Sequence, residues 1–256
     1  MEEKYKWWRY IPLLKATLRG DWKTAENFFE QDKSALTAPI VGETLDTTLH
    51  IAVGSRRGEE DIHFVEKLVD LMPVEALATK NSSGYTPLHI AAWVGNTKAA
   101  KILVDKHPPL LYTISGFYDL LPIHLAALHA RRDTLSYLLD VTDDDVTDDQ
   151  VFNGQSGAAF INCLISSDFF DIALKWVERY PRLAILQHKR SHSPLEFITW
   201  KLSAFPSERS RNCFRRGSHL GFWLRKIYPR DTVSQNLHAI LWKVFEFSGK
   251  AREESN

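Results

Sequence analysis

The chain has 256 residues, 44% of them hydrophobic, with 32 basic and 32 acidic side chains and no net charge. That is enough apolar material for a large core, while the charge balance excludes a global field that would draw the protein onto nucleic acid or an anionic membrane. Two cysteines fifty positions apart, Cys163 and Cys213, exclude a disulfide framework and a paired-cysteine zinc site, and no charge-free stretch is apolar enough to sit as a helix in hydrocarbon.

The start, Met1 to Lys6, is charged and leads into no apolar run, so it does not read as a secretory signal, and a reducing cytoplasmic setting is expected. Lys4 to Tyr10, with Trp7 and Trp8, reads as a cap on the first repeating unit. That unit, residues 10–36, has Pro12-Leu13-Leu14-Lys15-Ala16, then Gly20-Asp21, then Ala25, Phe28 and Phe29. A second, 43–76, has Thr48-Leu49-His50-Ile51-Ala52, a polar insertion from Gly54 to Glu60, and Phe64, Val65, Leu68 and Val69.

The third unit, 82–110, is the clearest, with Gly84-Tyr85-Thr86-Pro87-Leu88-His89-Ile90-Ala91-Ala92-Trp93-Val94-Gly95-Asn96. Pro87 suits the first position of a helix, where its missing N–H is no loss, and Thr86 suits the cap before it. Gly95 ends that helix and Asn96 caps a second, whose buried side is Ala99, Ala100, Ile102 and Leu103, before His107-Pro108-Pro109 stops it. Fourth and fifth units, 117–146 and 154–182, repeat the plan around Ile123 and Phe160. A degenerate sixth, 191–202, keeps Pro194-Leu195-Glu196-Phe197.

The equivalent residues Leu13, Leu49, Leu88, Ile123, Phe160 and Leu195 are separated by 36, 39, 35, 37 and 35 positions. This rhythm predicts a stack of helix pairs, an all-α solenoid over residues 1–202 with helical end caps, whose long inner face favours binding of other macromolecules over enclosed-pocket chemistry. A basic linker, 203–232, and a C-terminal helix and tail, 233–256, complete the chain.

From Ser207 to Arg230, seven basic residues, Arg209, Arg211, Arg215 and Arg216 among them, stand against the single acid Glu208, with aromatics interleaved. The segment fits a solvated cap packed on the last repeat. It also fits a contact with anionic lipid and, less well, single-stranded nucleic acid. Leu237, Ile240, Leu241 and Val244 share one helical face, suited to capping the solenoid or to docking a partner.

Three recurrent histidines, His50, His89 and His124, stand one per unit. Successive helices pack about 10 Å apart, too far for equivalent side chains to share an ion with bonds near 2 Å, so they are expected to hydrogen-bond the turns between units. Cys163 aligns with small buried alanines. Cys213, among arginines, is the one candidate for a reactive thiol. Gly154 to Ala158 approaches the nucleophile-elbow pattern but ends in Ala and is expected in a loop before a helix. The acids from Asp143 to Asp149 lack the alternate spacing and central glycine of a calcium loop. No catalytic group, metal, cofactor or small-molecule substrate is expected.

The Thr-Pro-Leu-His-Ile-Ala-Ala run, with Gly-Asn three residues on, resembles the ankyrin repeat over about residues 10–200. Tyr10-Ile11-Pro12-Leu13, Arg19-Gly20-Asp21-Trp22, Ala204-Phe205-Pro206-Ser207 and Phe222-Trp223 are similar to a plant ankyrin family whose members usually carry a C-terminal membrane domain. The chain resembles the soluble half of such a protein. The resemblance implies hairpin-like finger loops before each first helix and a concave binding face. It places partner-binding positions at Glu43, Thr44 and Asp46, at Ser82, Ser83 and Tyr85, at Phe117, Tyr118 and Leu120, and at the helix ends Trp93, Val94, Leu128 and His129. It implies an adaptor that binds another protein in plant signalling or stress and defence. The alternative is a peripheral regulator at the inner face of a membrane, acting with a membrane-embedded relative. Nucleic acid is not an expected partner.

Overall fold

In the first of two units, residues 1–145, the helices come in four successive pairs. They are α1 (Ile11–Arg19) with α2 (Trp22–Gln31), α3 (Thr48–Gly54) with α4 (Glu59–Leu71), α5 (Pro87–Val94) with α6 (Thr97–Lys106), and α7 (Pro122–Leu128) with α8 (Arg132–Asp143). The second unit, 146–256, holds α9 (Gly154–Ser166) and α10 (Phe170–Arg179). This computed structural model describes residues 3–55, 58–116, 119–143, 154–186, 193–194, 196–198 and 240.

The helices begin and end where their side chains dictate. Asp21 accepts from the Thr24 N–H at 3.1 Å to start α2, and Asn96 accepts from the Ala99 N–H at 3.2 Å to start α6. Asn96 also donates to the carbonyls of Val53 and Ser55 at 3.0 and 3.2 Å, so one cap ties two repeats together. A left-handed residue closes four of the first helices, Gly20 after α1 and Gly95 after α5, but Ala130 after α7 and Asp168 after α9, with φ of 55° and 62°, whereas α3 ends in extended backbone at Ser55. Only glycine adopts that conformation without strain. The Gly154–Ala158 stretch, expected as a loop, instead opens α9, with Gly157 buried; a small residue lets a neighbour approach, and its flexibility alone does not break a helix held by packing.

First helices stack on first helices, α1 on α3, α3 on α5 and α5 on α7, and α4, α6 and α8 stack likewise. The residues that set the rhythm line this stack: Leu13, Leu49 and Leu88 are wholly buried, Ile123 is 4% exposed, and Phe160 is wholly buried in the second unit. Each such side chain contributes about 2 kcal/mol by leaving water. Leu195 and the C-terminal helix lie outside the described residues, apart from a buried Ile240.

The second helices α2, α4, α6 and α10 each run into a short 3-10 turn, Lys33–Leu36, Val74–Ala78 and Pro108–Tyr112 in the first unit and Pro181–Ala184 in the second. Each sinks one or two apolar residues into the core, Ala35, Leu77, Leu110 with Leu111, and Leu183 with Ala184. At the N-terminus, Glu3–Tyr10 is also 3-10 helical. Arg9 pairs with Asp32, and the Tyr10 ring lies 6.0 Å from that of Phe28, which fastens this segment to the first repeat as a cap. Trp7 reaches further, for a Cβ on Gly42 would meet its Cδ1 at 2.7 Å. The indole therefore covers the loop of repeat two. Trp8 is 65% exposed.

Candidate protein-binding surface

The loop before α3 folds back on itself, with the N–H groups of Ile40 and Val41 donating to the Asp46 carbonyl at 2.8 and 3.3 Å. The loop before α5 does the same, Asn81 N–H to Tyr85 O at 2.9 Å, and its Asn81 side chain accepts from the N–H of Ser83 and of Tyr85 at 3.1 and 3.0 Å. Before α7, Ser115 N–H donates to Leu120 O at 2.8 Å while its hydroxyl accepts from Leu120 N–H at 3.0 Å. Each is a finger. Their tips carry one left-handed residue at the same register, Leu45, Gly84 and Asp119.

Neighbouring fingers are joined. Ser82 N–H donates to Thr44 O at 2.8 Å, Gly116 N–H to Gly84 O at 3.3 Å, and the Asn81 amide to the Asp46 carboxylate at 2.8 Å. Gly84 sits so close to the next finger that a Cβ on it would lie 2.2 Å from the Gly116 nitrogen. Of the expected contact positions, Glu43, Thr44, Ser82 and Ser83 are exposed, Tyr85 and Leu120 are half-buried, and Asp46 is half-buried with a carboxylate oxygen already engaged. Phe117 and Tyr118 lie outside the described residues, as do Arg209, Arg211, Arg215, Arg216 and Cys213.

The histidines explain how helix and finger are locked together. His89 accepts at Nδ1 from the Thr86 N–H at 3.2 Å, and its Nε2 reaches Leu120 O in the next finger at 3.0 Å. His50 repeats this, with Thr47 N–H at 3.3 Å and Tyr85 O at 2.9 Å. His124 accepts from Leu121 N–H at 3.1 Å. An acceptor at Nδ1 and a donor at Nε2 describe one neutral tautomer. Burial pushes His89 down to about 4 and His50 in the same direction, so both rings stay neutral. These rings are structural, as their spacing predicts. Cys163 is likewise buried, which pushes its thiol up to about 12 and leaves it unreactive.

The first-helix ends carry the exposed aromatic surface. The Tyr85 ring meets Trp93 edge-on at 5.8 Å, and His129 stacks on the indole at 5.1 Å with 20° between planes. A row of three rings thus crosses from repeat three to repeat four. Trp93 is nevertheless 40% exposed and Leu128 38%, while Val94 and His129 are half-buried. Burial and the Arg131 charge lower the His129 pKa, so the stacked ring is neutral. Arg131 donates from Nε to the Trp93 carbonyl at 2.9 Å. Sequence reasoning missed it. Its signal is the pair of arginines directly after the left-handed Ala130, where repeat three has Asn96.

No helix among the described residues is long and apolar enough to cross a membrane. The chain is similar to the BTB/POZ domain-containing protein 1 of Schizosaccharomyces pombe, 30% identical over 106 residues, covering 36% of this chain and 8% of that protein. The chain thus spans less than a tenth of that relative's length. Ankyrin repeats, in the form of a three-copy family, match residues 13–114 and again 49–150. Because those matches fall on the four capped helix pairs of the first unit and take in more than half of the sequence, this chain belongs to the ankyrin-repeat family, whose repeats are protein-interaction units.

Proposed function

We propose that the protein is an adaptor that binds a partner protein on the face formed by the fingers and first-helix ends of repeats two to four. The observation that carries this reading is Trp93. A large aromatic, braced by Tyr85 and His129 yet 40% exposed, is held rigid at the surface. Rigid aromatics are the usual anchors of interfaces, since they bury much area and lose little side-chain entropy. A role in plant signalling or defence, in the cytoplasm, is proposed on the sequence resemblance alone.

Proximity labelling with the wild-type chain and with Trp93→Ala tests the adaptor. Truncating an anchor typically weakens binding by about 2 kcal/mol or more. The labelled set should shrink while the melting temperature holds. An unchanged set would refute the binding face, and a large fall in melting temperature would assign Trp93 to packing.

Peripheral membrane contact is the second reading, supported by the seven basic residues against one acid between Ser207 and Arg230. Each basic residue near an anionic surface contributes about 1 kcal/mol. Changing Arg209, Arg211, Arg215 and Arg216 to Gln should therefore release the protein from phosphatidylserine-rich vesicles at low salt. Wild-type protein left in the supernatant would end this reading.

A further inference from the structure

Five residues after the buried leucine or isoleucine of each first helix, the four repeats of the first unit carry Leu18, Gly54, Trp93 and Leu128. Three of these are exposed apolar side chains, at 52%, 40% and 38%. The glycine is the exception, and neither backbone nor crowding requires it. Gly54 ends α3 outside the left-handed region, and an added Cβ would meet only Ile90 Cγ2, at an ordinary 3.5 Å. Alanine is the better helix residue at such a position, so stability does not favour glycine here. What its missing side chain leaves is a notch. Because α3 packs between α1 and α5, the notch opens between Leu18 and Trp93.

Trp93 is oriented to serve as its wall. His129, directly after α7, stacks on one face of the indole and Tyr85 meets it edge-on, while Trp93 stays 40% exposed beside α3. Beside it stands a fixed cation. The Arg131 stem lies over Gly95, where a Cβ would come within 2.8 Å of Arg131 Cδ, and Nε is anchored on Trp93 O. Its terminal nitrogens enter no ion pair among the described residues. Exposed Arg19 ends α1 on the same edge. The exposed acids Glu43 and Asp119 lie on the finger edge, across first helices that are roughly 12 Å long at 1.5 Å per residue. The turns carry both signs, but exposed Asp21 is held by the Thr24 hydroxyl and exposed Glu59 pairs with Lys98, so the unpaired Arg131 nitrogens stand beside the apolar stripe.

We infer that the Gly54 notch and Arg131 form one subsite for an acidic segment of the partner protein. A bulky apolar side chain, Leu, Phe or Trp, enters between Leu18 and Trp93 and packs on the exposed part of the indole. A carboxylate two to four positions away pairs with the terminal nitrogens of Arg131, the spacing following from repeats about 10 Å apart and roughly 3.3 Å per extended residue. This rests on the adaptor reading and gives its face a ligand chemistry.

The test uses a random 12-residue peptide library displayed on phage and panned on the full chain, with enriched peptides measured by fluorescence anisotropy. Enriched peptides should combine Leu, Phe or Trp with a nearby Asp or Glu. Gly54→Leu should weaken them about tenfold without lowering the melting temperature, and Gly54→Ala, the milder filling, by less. Arg131→Gln should weaken them about tenfold and flatten their salt dependence. Peptides that need Trp93 but lack acids, or that ignore Gly54→Leu, would overturn the subsite and leave the adaptor reading standing. Peptides indifferent to Trp93→Ala, or no enrichment at all, would overturn both.

Discussion

Acid should loosen the repeat stack through its buried histidines. His89 accepts the Thr86 N–H at Nδ1 and donates from Nε2 to Leu120 O, so a second proton would place an N–H against an N–H. Burial chiefly, with the charges of Lys80, His124 and His50 adding and the Leu120 carbonyl opposing, moves its pKa from 6.5 down to about 4. The folded value lies below the unfolded one, so the unfolded chain binds the extra proton first. Stability is whole above pH 6.5 and is lost as pH falls toward about 4. Between pH 7 and pH 5 that loss is about 2 kcal/mol for His89, and His50, shifted the same way by burial, adds to it. At roughly 4 °C per kcal/mol, the melting temperature should fall by about 8 °C or more. Urea unfolding at several pH values measures this directly. His89→Gln retains a donor for Leu120 but has no proton to gain; it should be less stable at pH 7 and lose about 2 kcal/mol less on acidification. Native stability that stays flat between pH 7 and pH 5, or a His89→Gln slope equal to the native one, would refute the argument.

Gly84→Ala should destabilise the protein by about 2 kcal/mol or more, since φ of +76° is combined with a Cβ 2.2 Å from the Gly116 nitrogen; a change under about 0.5 kcal/mol in urea would mean that the fingers are not packed this tightly. Ala130→Gly should do the opposite. Removing a left-handed alanine recovers about 1 kcal/mol, partly offset by a looser unfolded chain, so the urea midpoint should rise, and a fall would show that Ala130 is not strained.

How far the sequence foretells this structure depends on the range of each cause. Thr86, Pro87, Gly95 and Asn96 act on their own turns, so the helix pairs and their caps can be read locally, and the histidine role follows from spacing alone. Contacts between repeats are another matter. That Asp46 is held by Asn81, thirty-five positions on, depends on two fingers meeting. Trp7 on Gly42 depends in the same way on where a terminal segment folds back. The 3-10 turns after α2, α4, α6 and α10 escape notice because one or two buried residues in four or five make no periodicity. Gly154 and Gly157 mislead, because glycine marks both loops and close packing. Trp93 and Leu128 stand where their register places them, at helix ends and partly exposed, while the significance of Gly54 needs its backbone angle and its distance to Ile90.

The histidine links all point one way along the chain. His50 of repeat two reaches the finger of repeat three, and His89 of repeat three reaches that of repeat four. Every repeat so joined offers one carbonyl backward and one ring nitrogen forward. Removing a whole repeat, or inserting another of the same kind, would therefore reconnect the same donor to the same acceptor and leave no buried polar atom stranded. An array joined in this manner can change length by duplication or deletion of complete units, with each intermediate still folded. A cut that falls within a repeat enjoys no such protection, so viable variants of this protein should differ by whole units of 35 to 39 residues, the spacings between its own repeats.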